Sequence, residues 1–272
     1  MRFFSLTLIC LCLLSFKTEE TYLLKLNLEV GEKYKMTVTS DQNIGLSMKG
    51  EKMEMTQSFK MYIPSLVKKV SKKEITVGQL VSRVIFSQNS EVLGENHCDT
   101  DNEDASVGAI GTAMYNAFST VINKPIIMGM ESNGKIKTVD VSSFPKAMQK
   151  ELKSSFKNSQ GYYHLPDDPV ALGDTWVSTY SLELKGTEYE FLNTYTLDSI
   201  STERAFISLQ SKPVKHKGNI MEGYQAGDLE FDRVKGILLK GYIYQDLTVS
   251  NTSAGIDEMK IESKIYLKGK FE

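Results

Sequence analysis

Asp167-Asp-Pro-Val-Ala-Leu-Gly-Asp-Thr-Trp-Val-Ser-Thr-Tyr-Ser-Leu-Glu-Leu184 is the stretch whose reading decides the fold class. Pro169 keeps its first residues out of helix, and Gly173-Asp174 supplies turn chemistry. From Trp176, the only tryptophan, Tyr180, Leu182 and Leu184 then alternate with polar residues. That period of two marks a strand with one face buried. Val30-Gly-Glu-Lys-Tyr34 opens a strand near the N-terminus in the same manner: aliphatic residue, glycine, acid, then a large aromatic. The second half of the chain therefore echoes the first, either by duplication or because antiparallel meanders resemble themselves.

Outward from these openings the alternation continues. Residues 22–28 and 34–38 read as a hairpin about Gly31. Met53, Met55, Phe59, Met61 and Ile63 alternate along a long strand, and residues 74–86 read as its partner after a turn at 71–73. In the second half, residues 185–187 turn the chain into a strand with Tyr189, Phe191, Tyr195 and Leu197 inward, followed by Ala205, Ile207 and Leu209. Residues 212–227 lack a period and read as an irregular loop or edge segment. Residues 228–241 are strand, turn and strand. A last hairpin joins 242–249 to 259–267 through a turn at 251–255, with Met259, Ile261, Ser263, Ile265 and Leu267 on one face.

Two segments change period. Val107, Ile110, Met114, Phe118 and Val121 recur every three or four residues, which predicts an amphipathic helix over 105–122 capped by Asp104. Phe144, Met148, Leu152 and Phe156 predict a second helix from Ser143, with Pro145 in its first turn and lysines on its outer face, fraying at 158–161. Between them Asn133-Gly134 joins two short strands. The expected fold is mainly β (α+β): a curved antiparallel sheet or half-barrel of ten or more strands, with two amphipathic helices in or over its concave side. Residues 18–272 form one such domain, built from two similar halves (18–140 and 162–272) joined by a helix.

Residues 1–17, a basic start followed by a short apolar run, predict a signal peptide, so the mature chain is expected to be exported, periplasmic or extracellular. The run is too short for a stop-transfer span. Cys10 and Cys12 lie within it, preceded by Ile9 and Leu11 rather than the small residue that acylation requires, although an anchor at either stays open. Cys98 alone follows, so the mature chain has no intrachain disulfide. With a formal charge of −2 and no basic cluster, nucleic acid is not an expected partner.

Catalytic signatures are missing: the sequence has no nucleophile elbow, phosphate loop or dinucleotide fingerprint. His97, His164 and His216 are too dispersed for a metal site. The acidic run Asp99-Thr-Asp-Asn-Glu-Asp104 has three readings. It complements a helix N-terminus, it binds calcium (without the glycine and the twelfth-position acid of the usual loop), or it is a solvated loop. The expectation is a protein without catalytic residues, cofactor or metal. Met114, Phe118, Met148, Leu152, Phe156 and Trp176 are its candidate contacts for a hydrophobic ligand or lipid between helices and sheet. Two alternatives stand beside it: these residues fill a core, and the protein is a structural or interaction component of the cell envelope.

The order of elements also carries a resemblance. Leu26-x-Leu-x-Val-Gly-Glu-x-Tyr34, Gly173-Asp-x-Trp176 and Phe231-Asp-x-x-x-Gly236 look like a family of uncharacterised exported proteins of Bacteroidota. The architecture is similar to the lipoprotein-localisation (LolA/LppX-like) half-barrel. That resemblance implies shape and address, and a lipid-carrying role seen in other families. It transfers no site residues.

Overall fold

The computed structural model describes residues 20–158, 164–184, 187–214, 220–250 and 257–272. The signal-peptide reading, with Cys10 and Cys12, the frayed end at 159–161, the turn at 185–186 and the loop at 251–255 lie outside the described residues, as does His216.

Fourteen antiparallel strands form one open, curved sheet carrying two helices. In chain order these are β1 (Lys33–Met48), β2 (Glu51–Val70), β3 (Ile75–Gln79), β4 (Arg83–Ser90), β5 (Gly94–Asp99), β6 (Asn102–Val107), α1 (Gly108–Ser119), β7 (Ile126–Met130), β8 (Ile136–Asp140) and α2 (Lys146–Asn158). There follow β9 (Thr175–Leu184), β10 (Thr187–Ile200), β11 (Arg204–Pro213), β12 (Ile220–Asp232), β13 (Leu238–Ser250) and β14 (Glu258–Phe271). The main path runs β6-β5-β4-β2-β1-β14-β13-β12-β11-β10-β9. First and last strands thus pair, which draws both halves of the chain into one sheet.

β2 is the branch point. Its first part pairs with β4, whereas Ser65 to Val70 pair with β3, which leads on through β7 to β8. The single partner strand expected over 74–86 is therefore two strands, each taking a different length of β2. α2 touches both β8 and β9, so it lies between the outer strand of the branch and the outer strand of the main path.

Other expectations also change. Residues 22–28 do not pair with β1, because both edges of β1 are occupied by β2 and β14. They run extended beneath the sheet instead. Tyr22 bridges Val170, and the Leu26 and Asn27 amides donate to the carbonyls of Ser132 and Lys235 at 2.6 and 3.0 Å. The alternation there recorded burial rather than pairing, for Leu24, Leu26 and Leu28 are buried. Helix α1 starts at Gly108, since residues through Val107 belong to β6, and Asp104 is a strand residue rather than a cap. Asn96 of β5 takes the capping role, its Oδ1 accepting from the Ile110 amide at 3.1 Å. Gly111 permits the close seating: a Cβ there would lie 2.2 Å from the His97 carbonyl oxygen. Finally, the segment expected to be irregular over 212–227 is largely regular strand, with Met221, Gly223, Gln225 and Gly227 taking alternate places. Two glycines and an amide gave it no apolar period.

The inner face of the sheet is the one against which the N-terminal segment and α1 pack. Leu24, Leu165 and Val170 join Tyr195, Leu197, Ile207, Leu209, Leu229 and Ile243 in the largest cluster. Trp176 stacks on Tyr195 at 5.6 Å and Tyr180 on Phe191 at 4.9 Å, so the edge strand β9 is held by ring contacts as well as by its ladder.

One row interrupts this apolar face. Across β5, β4, β2, β1, β14, β13, β12, β11, β10 and β9, directly opposed residues are Asn96, Gln88, Gln57, Gln42, Ser263, Gln245, Gln225, Ser211, Asn193 and Ser178. The rows on either side are mostly apolar, with Phe86, Ile265, Ile243 and Leu209 on one flank and Ile44, Ile261, Leu247 and Phe191 on the other, and Ser40 and Ser90 as exceptions. A one-residue slip of any strand would turn its amide or hydroxyl out of the row and its apolar neighbours outward, so the row helps to fix register. Ser263 donates to Gln245, and Gln225 Nε2 donates to the Tyr180 hydroxyl at 2.8 Å. The Ser211 hydroxyl is buried with no protein partner. Ser211→Ala is therefore expected to raise stability by about 1 kcal/mol in urea denaturation. A loss of that size would mean that the hydroxyl is hydrogen-bonded in solution.

Candidate functional site

The six candidate ligand contacts fall in three places. Phe118 of α1 meets Phe59 of β2 edge to face, centroids 5.5 Å apart, with Met114 half-buried one turn earlier. Leu152 and Phe156 of α2 cover Ile126, Met128, Val141 and Phe144, and Met148 is half-buried on the same helix. Trp176 joins the main cluster, its indole N–H donating to the His164 carbonyl at 2.8 Å. Leu152 and Phe156 are brought together; the α1 pair, the α2 group and Trp176 are not.

An apolar cavity lies elsewhere, behind the N-terminal segment. It measures about 180 Å³. Leu26 and Leu28 form its cover, Met36 and Val67 its wall on β1 and β2, and Val77, Met128 and Met130 its wall on β3 and β7. Ile237, Leu238 and Phe271 close the remaining side. The branching of β2 creates this space, since β3 and β7 turn away from the path that β4 and β5 follow. Three methionines give it an adjustable lining. The volume is comparable to that of dry engineered cavities of about 150 Å³ that accept benzene.

Polar groups sit at its border. Tyr34 donates to the Leu238 carbonyl, and burial pushes the phenol well above its ordinary pKa, so it stays neutral. Burial pushes the Glu32 carboxyl up, but hydrogen bonds from Lys235 and from the Glu29 backbone outweigh it and hold the group below its usual value. Lys235, on the turn between β12 and β13, reaches Glu32 at 2.6 Å and Glu29 at 3.0 Å. These ion pairs clamp the N-terminal segment over the cavity.

The acidic run is divided rather than gathered. Asp99 accepts a two-pronged contact from Arg83, and Asp101 lies 3.4 Å from the same guanidinium. Glu103 and Asp104 are exposed on β6, and the first turn of α1 holds no acid. The reading of the run as a complement to the helix N-terminus is thus overturned by the length of β6. Ser87 and His97 Nδ1 are 2.8 Å apart on the opposite face of the sheet. Both belong to strands paired on each side at this level, so nearby backbone N–H groups are used by the ladder rather than turned toward an oxyanion.

Comparison with known proteins adds the following. Residues 142–238 match a family of unknown function (DUF6263). No curated protein matches the chain. Among solved structures it is similar to lipovitellin, in a structure described for its lipid–protein interactions, with TM-score 0.54 and 12% identity. That match covers 90% of this chain and 26% of lipovitellin, so the chain spans about a quarter of that protein's length. A lipoprotein-sorting domain from Vibrio parahaemolyticus matches at TM-score 0.14 and 11% identity, over 87% of this chain and 85% of that one, too slight a likeness to bear on this chain. The likeness to lipovitellin concerns the fold. Among the described residues, no helix is long and apolar enough to cross a membrane.

Sequence reasoning found the covering leucines as an alternating run and missed the cavity. Met128 and Met130 belonged to a recognised hairpin, but nothing local indicated that the hairpin would pack beneath residues 26–28.

Proposed function

We propose that this is an exported, non-catalytic protein that binds a hydrophobic ligand, whose apolar end occupies the cavity between Leu26, Leu28, Val77 and Met128. The partly open, methionine-lined space behind a clamped segment is the observation that carries this reading. A cavity of this size takes one end of a longer ligand, such as the tip of an acyl chain, and leaves the polar remainder outside near Glu32 and Lys235. The fold it shares with a region of lipovitellin is in keeping with this role.

The full chain should bind the apolar dye N-phenyl-1-naphthylamine with a fluorescence gain, and decanoic acid should displace it. Met128→Trp, which fills the cavity, is expected to lower affinity at least about tenfold with the fold retained by circular dichroism. Val77→Phe provides a second filled variant. No dye binding by the wild type, or binding unchanged in both filled variants, would remove the proposal.

A second reading, an envelope interaction protein, draws on the outward faces of β9 to β11, where Val177, Leu192 and Phe206 are exposed. A stable partner captured from the native envelope, lost on Val177→Lys with dye binding intact, would favour it.

A further inference from the structure

A second concavity lies on the face of the sheet opposite the core. Strand alternation turns His97, Ser87, Ser58, Asp41, Lys264 and Tyr244 outward, one from each of the adjacent strands β5, β4, β2, β1, β14 and β13, in direct register. Together with the next outward row (Asn43, Thr56, Asn89, Glu95 and Glu262) and Tyr266 they line a groove of about 950 Å³. Neither helix nor the N-terminal segment covers this side, so the groove is not required for packing.

Its polar groups are held in place. Ser87 and His97 are hydrogen-bonded at 2.8 Å, and Ser58 donates to Asp41 at 2.8 Å. Of its charges, Lys260 holds Glu262 at 2.7 Å, Asp41 stands across the ladder from Lys264, and Glu95 is exposed at the β5 side. An anionic ligand would gain little beside these acids, whereas one offering many neutral hydroxyls needs no counter-charge and would find acceptors and donors on successive strands, about 4.8 Å apart. At one end Tyr244 is set against Tyr224 and Tyr266 against Tyr242, centroids 6.0 and 5.3 Å apart. Burial and the carboxylates of Asp246 and Glu262 keep the Tyr244 phenol protonated above its ordinary range. The rings offer flat apolar faces beside a polar row, which is the combination that the C–H face and hydroxyl rim of a sugar demand.

We infer that this groove binds a neutral oligosaccharide lying across the strands, its hydroxyls on the Asp41–Ser58 and Ser87–His97 pairs and one ring on Tyr244 or Tyr266. This site is separate from the apolar cavity, and the two stand or fall independently.

Isothermal titration of the full chain with cellotetraose and with maltotetraose tests it. At least one should bind with a Kd in the range of about 10 μM to 1 mM, and Tyr244→Ala should weaken it about tenfold, the loss of one aromatic contact. Tyr266→Ala serves as a second surface variant. Met128→Trp, which fills the apolar cavity, should bind the sugar as the wild type does. The inference is overturned if neither tetrasaccharide binds at about 10 mM, if both tyrosine variants bind unchanged, or if an oligolysine peptide binds the groove and the sugars do not.

Discussion

Replacing Gly236 with alanine is expected to destabilise the protein by about 3 kcal/mol and to open the apolar cavity. Gly236 adopts φ +68°, a left-handed conformation that costs an L residue about 1 kcal/mol. A Cβ there would also lie 2.1 Å from the Lys25 carbonyl oxygen and 2.5 Å from its carbon. These are backbone atoms, so the contact can be relieved only by moving the N-terminal segment or the turn between β12 and β13. The turn is fixed by the Gly236 amide donating to the Asp232 carbonyl at 2.8 Å. The segment is the part that yields. Its buried leucines are each worth about 1.5–3 kcal/mol when fully covered, and partial lifting forfeits a share of that. Urea denaturation gives the stability loss. Stopped-flow uptake of the apolar dye gives the functional consequence, a faster association because the cover over Met36 and Met128 is loosened. A variant with wild-type stability and wild-type uptake would show that residues 24–28 are not clamped over the cavity in solution.

That clamp also shows where sequence reasoning stops. Leu24, Leu26 and Leu28 are legible as an alternating, buried run, because burial on one face is a local property of an extended chain. Their partner is not local. The segment bonds to Ser132 and Lys235, far along the chain, and only the assembled sheet makes those carbonyls neighbours. The polar row is similar. Ser263 between Ile261 and Ile265, or Asn193 between Phe191 and Tyr195, is visible as an interruption in a single strand. That these interruptions align from β5 to β9 is a statement about register, which turns and bulges set. Glycine hides strands in the same way that polar inward residues do, as β12 demonstrates with Gly223 and Gly227. The strand character of most of the chain and the presence of both helices follow from period alone, whereas the expected curvature of the sheet rests on the need to bury the two apolar helix faces and on the resemblance in architecture. The branching of β2 follows from neither, because Leu80 to Ser82 look no different from the residues around them, and the cavity depends on that branching.

Arg83→Leu should cost about 2 kcal/mol at pH 7, with a dependence on pH that identifies the cause. Arg83 Nε donates to Asp99 Oδ1 at 2.9 Å and Nη2 donates to Oδ2, a bidentate contact that ties β4 to β5. The side chain of Asp99 is 13% exposed and that of Arg83 36%. Removing the arginine strands a nearly buried carboxylate, a change worth about 3–5 kcal/mol for a fully buried pair, and solvent reaching Arg83 reduces it here. The hydrogen bond from Arg83 is the main reason that the Asp99 carboxyl lies below its ordinary pKa, with burial opposing it. A carboxyl depressed in the folded state stabilises fully above its unfolded pKa of about 3.9, and that stabilisation disappears as pH falls through the lower folded value. The gap between wild type and Arg83→Leu should accordingly be widest near neutrality and narrow steadily below about pH 4, as wild-type Asp99 takes up its proton and the fork loses its charge. Asp99→Asn should remove most of the pH dependence from that interval, because the amide keeps one acceptor but no titrating group. A gap that stayed constant from pH 7 to about pH 3 would assign the effect of Arg83 to the packing of its stem against Tyr62, whose ring lies 5.8 Å from the guanidinium carbon, rather than to the charge it brings to Asp99.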